Sequence, residues 1–187
     1  MKKENNKRKK IMKAALELVA ENGFHNSPTS QIAKNAGVGA GTIYRYFENK
    51  DILIREIHDE IRKEILEYIF KGDNPDLPVR DRFICFFSGL AGFLLDNHSK
   101  YKYIEQYYNS PYGIDEKRAC KEDDPFEIFF NHAKQQHIMK DIDNEILFAL
   151  AFGPISFLLK DHCSGFIELN DEIIQKVIRA SWDALKL

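Results

Sequence analysis

A chain of 187 residues, 44% apolar and 30% charged, is long enough to bury a core without disulfides or metal, which excludes a disordered chain. Its three cysteines, Cys85, Cys120 and Cys163, are odd in number and far apart, a pattern that fits a reducing compartment and neither a disulfide framework nor a zinc site. The net charge of −2 hides an asymmetry: residues 1–50 hold 10 Lys or Arg against 4 Asp or Glu, and the rest hold 17 against 25.

A basic head on an acidic body points to a polyanion-binding module joined to another part; two unlike solvated faces are the alternative. The longest uncharged stretches, 83–95 and 146–159, hold 13 and 14 residues, too few to span a bilayer comfortably. The basic start runs into an amphipathic pattern containing Glu17 and Glu21, where a secretory signal would need an unbroken apolar run. The expectation is a cytoplasmic protein with no membrane association.

Ile11, Ala14, Ala15, Leu18 and Val19 recur at helical spacing, and Gly23 closes that helix. Ser27-Pro28 opens the next helix, with Ser27 as its cap and Pro28 in its first turn. Gly37 ends it. A third short helix starts near Ala40, with Ile43 and Phe47 inward and Ala40, Gly41, Thr42, Tyr44, Arg45 and Tyr46 outward. Asn49 caps a long helix over 50–70, with Ile54, Ile57, Ile61, Ile65 and Ile69 on one stripe. Gly72, Pro75 and Pro78 mark a linker. Further helices are predicted near 79–96, 100–109, 124–137, 143–161 and 171–186, and Ser110-Pro111-Tyr112-Gly113 reads as a turn. The fold expected is all-α: a basic three-helix head over 1–50 and a helical body over 51–187, joined by the long helix.

Two short helices joined by Ala36-Gly37-Val38-Gly39 make a helix-turn-helix, whose second helix can lie in a DNA major groove. Small residues at Ala40 and Gly41 allow close approach of the backbone. Thr42, Tyr44, Arg45 and Tyr46 supply hydrogen-bond donors, and Lys50 can meet a phosphate at the start of the next helix. Buried three-helix packing uses the same small-residue turns, so the pattern alone leaves both readings open.

The stretch Ile32-Ala33-Lys34-Asn35-Ala36-Gly37-Val38-Gly39-Ala40-Gly41-Thr42-Ile43-Tyr44-Arg45-Tyr46-Phe47-Glu48-Asn49-Lys50-Asp51-Ile52-Leu53 resembles the TetR family of bacterial transcriptional regulators. Ala14-Ala15, Leu18 and Asn22-Gly23-Phe24 resemble that family's first helix. The resemblance implies an all-helical homodimer that binds operator DNA with its first three helices and a small-molecule effector with its body. It places DNA contacts on Thr29 and Ser30 of the bracing helix, on Ala40, Gly41, Thr42, Tyr44, Arg45 and Tyr46 of the reading helix, and on Lys50. Pro28 and Gly39 depart from it, since the family often carries a hydroxyl residue at each place.

Phe83, Phe87, Tyr103, Tyr107, Phe129 and His132 either line an apolar pocket for an effector or form ordinary core. The last two helices carry long apolar faces suited to pairing two subunits. Lys7-Arg8-Lys9-Lys10 reads as a minor-groove arm or as a frayed, solvated end. No metal or cofactor is expected: His132 and His137 are five apart, on different faces of a helix, and Asp141-Ile142-Asp143-Asn144-Glu145 lacks the glycine of a calcium loop. No nucleophile–base set or phosphate-cradling loop suggests an enzyme. The function expected is a repressor released from a palindromic operator by a small apolar or aromatic ligand. The alternatives are an activator or architectural protein without a ligand, and a helical interaction scaffold.

Overall fold

A computed structural model describes residues 2–118 and 123–187, and the side chains of 6–114 and 123–187. Ten helices run through the described residues: α1 (Lys2–Asn22), α2 (Thr29–Asn35), α3 (Ala40–Tyr46), α4 (Lys50–Phe70), α5 (Val79–Asp96), α6 (His98–Tyr108), α7 (Pro111–Arg118), α8 (Pro125–Gln135), α9 (Asn144–Cys163) and α10 (Asp171–Leu185). The described residues contain no strand, only an isolated bridge between Met139 and Lys186. Cys120 lies outside the described residues.

The helices group into two compact units. One comprises Met1–Glu64 with Asn97–Ala119, the other Ile65–Asp96 with Cys120–Leu187. This division departs from a head ending at residue 50. Most of α4, with α6 and α7, packs with α1–α3.

In the first unit the apolar stripe of α1 is buried as its spacing predicts, with Ile11, Ala15 and Val19 almost fully enclosed. Gly23, at φ +78, turns the chain out of α1, and its amide donates to the Val19 carbonyl at 2.8 Å. Helix α6 completes this end: the Gln106 amide donates to the carbonyls of Val19 at 2.9 Å and Ala20 at 3.3 Å. These carbonyls belong to the last turn of α1, where amide partners run out; Val19 shares its carbonyl between the Gly23 amide and Gln106.

Two local expectations are corrected here. Ser27 does not cap α2; its buried hydroxyl donates back to the Gly23 carbonyl at 2.7 Å, and Pro28 stands at the N-cap position. The open end of α1 competes for that hydroxyl and takes it. Residues 110–113 are not a plain turn, because Pro111 opens α7. Proline fits the first helical turn, where no amide donor is needed.

The second unit packs the aromatic face of α5 against α8, α9 and α10. Phe87 has Phe83 at 4.6 Å, Phe126 at 5.6 Å and Phe148 at 6.1 Å between ring centroids. Arg82 donates twice to Asp73, at 2.8 and 2.6 Å, and its guanidinium lies 5.4 Å from the rings of Phe86 and Phe129. That fork fastens the linker between α4 and α5. Asn170 caps α10, accepting from the Ile173 amide at 3.0 Å.

Helix α9 is long and apolar enough to cross a membrane. Its Leu147, Ala151, Ile155 and Leu159 are buried within the second unit. The stripe of α10 is also buried there, through Ile174, Ile178, Trp182 and Leu185. The large apolar residues of α9 that stay exposed are Ile146, Leu150 and Phe157. The pairing face expected from both stripes is therefore reduced to the outer side of α9.

Candidate nucleic-acid interface

The site is built on the turn between α2 and α3. Ile32 and Ala33 anchor α2 in the first unit, and Ile43 is the one buried residue of α3. Gly37, at φ +65, lets the chain reverse between them, and the Val38 amide returns to the Ala33 carbonyl at 3.0 Å. A side chain at Gly37 would be strained in that left-handed conformation.

With only Ile43 committed to the core, α3 offers the rest of its surface outward. Ala40, Gly41, Tyr44 and Arg45 are exposed, and Thr42 and Tyr46 are half-buried. A Cβ at Gly41 would meet nothing within 4 Å, so the backbone there is open to a groove. Ser30 is exposed and Thr29 half-buried on α2. The Thr29 hydroxyl and the Tyr44 phenol lie 3.2 Å apart, which brings the start of α2 and the middle of α3 onto one surface. Eight of the nine residues implied as DNA contacts share this small stretch of two helices.

Lys50 is the ninth and does something the sequence does not disclose. It is half-buried, and its Nζ donates to the Phe24 carbonyl at 2.5 Å. Burial lowers the pKa of its ammonium, and the neighbouring Asp51 carboxylate opposes that shift. Lys50 thus ties the turn after α1 to the first turn of α4. Asn49 caps that turn as expected, accepting from the Ile52 amide at 2.9 Å.

The residues foreseen for an effector divide between the units. Tyr103 and Tyr107 belong to the first. Tyr103 donates its hydroxyl to the Ile54 carbonyl at 2.7 Å, and burial pushes its phenol well above the usual range. Tyr107 stacks on His58, with centroids 3.9 Å apart, and on Tyr112 at 6.0 Å. Tyr112 in turn donates to Asp51 at 2.6 Å, and burial, with that hydrogen bond second, pushes its pKa up to about 12. None of this cluster was legible as support for the DNA-facing helices, because α6 and α7 lie so far along the chain from α1–α4.

Phe83, Phe87 and Phe129 belong to the second unit and are fully enclosed among other rings. His132 is exposed, and its Nε2 accepts from the Gln136 amide at 3.0 Å. His132 lines a cleft of about 350 Å³ in this unit, with Leu77, Val79, Ile138 and Trp182 as its apolar residues and Arg80 and Arg82 also lining it. Trp182 packs on Phe83, with centroids 5.2 Å apart. Among the described residues no group of three or more His, Cys, Asp or Glu side chains could hold a metal.

Residues 11–57 match the family described as bacterial regulatory proteins, tetR family, and residues 78–186 match the tetracyclin repressor-like C-terminal domain. The chain belongs to the TetR family. A solved TetR-family transcriptional regulator from Haemophilus influenzae superposes with a TM-score of 0.85 at 26% identity, covering 100% of both chains. A TetR-family protein from Vibrio parahaemolyticus gives 0.78 at 31% identity, over 97% of this chain and 99% of its own. A fatty acid metabolism regulator protein of Bacillus subtilis is 33% identical over 99 residues, which is 53% of this chain and 51% of that one. This TetR-family chain is accordingly a DNA-binding transcriptional regulator and not an enzyme. Its helix-turn-helix lies wholly inside the first of the two matched segments.

Proposed function

We propose that the protein is a homodimeric repressor, acting in the bacterial cytoplasm, that leaves a palindromic operator when a small apolar or aromatic effector binds. The observation that carries the DNA half is the exposure of α3, which commits only Ile43 to the core. Thr42 and Arg45 read base edges, Tyr44 and Lys50 meet phosphates, and Ala40 and Gly41 let the helix approach closely. The dimer is supported by the outer apolar stripe of α9, which a lone subunit would leave in water.

DNA binding is tested by letting the protein enrich duplexes from a randomised pool. The expected product is a palindrome bound with Kd of roughly 10⁻⁸–10⁻¹¹ M at physiological salt. Arg45→Ala should weaken binding by about 1–3 kcal/mol and relax base preference at one position in each half-site. Unchanged affinity and preference in that variant would remove Arg45 from the reading set.

The effector is placed in the second unit, at the cleft between His132 and Trp182, whose volume lies in the range of small-molecule sites. Phe83 packs against Trp182 of that cleft, and Phe129 lies against its Arg82. The Bacillus subtilis relative named for fatty acid metabolism makes straight-chain fatty acids the first probes. Trp182 is the single tryptophan of the chain, so its emission reports on this cleft alone. A saturable emission change on titration, accompanied by release of the duplex, is expected. Release of the duplex with unaltered Trp182 emission would move the effector elsewhere.

A further inference from the structure

The basic run that the helix-turn-helix does not absorb is neither an arm nor a frayed end. It is the start of α1, which is helical from Lys2 through Asn22. Residues 2–10 make about two and a half turns before Ile11, the first fully enclosed residue of the stripe. Among the described residues, Arg8 holds this segment to the unit. Arg8 pairs with Glu56 of α4, and its guanidinium lies 5.3 Å from the ring of Phe47. Phe47 is the residue directly after α3, so the segment is fastened where the reading helix ends and α4 begins.

The other described cations of the segment face water. Lys7, Lys9 and Lys10 are exposed and have no acidic partner among the described residues, whereas Lys13 shares Glu17 at 3.8 Å. At 100° per residue, Lys9, Lys10 and Lys13 fall on the side of α1 opposite Ile11, Ala15 and Leu18. Like charges close together on one helix repel one another. The arrangement calls for an external anion. A membrane surface fits poorly, because the apolar face of α1 is already buried in the protein.

We infer that the outer face of α1 is a second DNA contact, a rigid row centred on Lys9 and Lys10 that grips phosphates flanking the bases read by α3. The inference rests on the DNA-binding reading above. The row adds affinity without adding sequence preference, since phosphate contacts are the same in every sequence. It also requires duplex beyond the palindrome itself.

The probe is a labelled duplex of about 40 base pairs, several helical turns, carrying the palindrome that the wild-type protein enriches; a second duplex is trimmed to that palindrome. Lys9→Gln with Lys10→Gln keeps helix propensity and removes four charges per dimer. On the long duplex the slope of log K against log salt should become shallower by about 3.6, since each phosphate that a lysine neutralises steepens it by about 0.9. On the trimmed duplex variant and wild type should bind alike. Lys9→Arg with Lys10→Arg should restore the wild-type slope. An unchanged slope and affinity on the long duplex would overturn the inference while leaving the regulator reading intact. Failure of the wild type to enrich any palindrome would remove both. Loss of binding to anionic phospholipid vesicles, with DNA binding unaltered, would assign the face to a membrane and overturn the inference as well.

Discussion

Leu150→Asp combined with Phe157→Asp is expected to give a folded monomer whose operator affinity falls by roughly 10²–10⁴-fold, the gain that linking two binding modules supplies. Leu150 is 43% exposed and Phe157 64%, so neither charge is forced into the core of the subunit. Ile146, Leu150 and Phe157 follow at spacings of four and seven, which puts them on one side of α9. Gly153 and Pro154 are exposed between them and carry little bulk, so a second helix can come close. Two carboxylates on each copy would face two on the other across a desolvated surface, which disfavours association strongly. A monomer carries one reading helix and engages one half-site. Sedimentation velocity and duplex anisotropy measured on the same sample check the two effects together. A variant that still sediments as a dimer would move the pairing face off α9.

Gly113→Ala should destabilise the protein by about 3 kcal/mol, at the upper end of overpacking costs. Gly113 sits in the first turn of α7, directly against the end of α6. A Cβ there would lie 2.5 Å from the Cα of Tyr108 and 2.7 Å from the carbonyl oxygen of Tyr107. Both are backbone atoms, which cannot rotate aside as a side chain can. The clash must shift α7 and with it Tyr112, which stacks on Tyr107 and donates to Asp51 of α4. Thermal unfolding should move down by roughly 6–12 °C at the usual 2–4 °C per kcal/mol for a chain of this size. Gly92→Ala is the control: it lies within α5, and nothing stands within 4 Å of its Cβ position. That change should stabilise by about 0.5–1 kcal/mol, because alanine is the better helix former. Equal melting of the two variants would mean that α6 and α7 can separate at no cost.

Much of the DNA-binding unit was legible because its signals are local. The stripe of α1 repeats at the helical period, and Gly23 and Gly37 stand where the backbone needs positive φ. Asn49 announces the start of α4, and the run of isoleucines carries that helix to Phe70 as expected. Only Ile43 was needed inside α3, which left the outward residues to be named directly. Each of these features depends on neighbours within a turn or two of chain.

Tertiary structure decided what depends on distant partners. The hydroxyl of Ser27 had two open helix ends within reach, and only the folded turn shows that Gly23 takes it. Lys50 has the charge for a phosphate, and its additional contact with the Phe24 carbonyl required the turn after α1 to fold back on α4. Gln106 closes the end of α1 from more than eighty residues away. The aromatic residues look alike along the chain, and spacing could not tell that Tyr103 and Tyr107 support the DNA-binding unit while Phe83, Phe87 and Phe129 fill the other. Periodicity states which side of a helix is apolar; which neighbour covers that side is a property of the assembled fold.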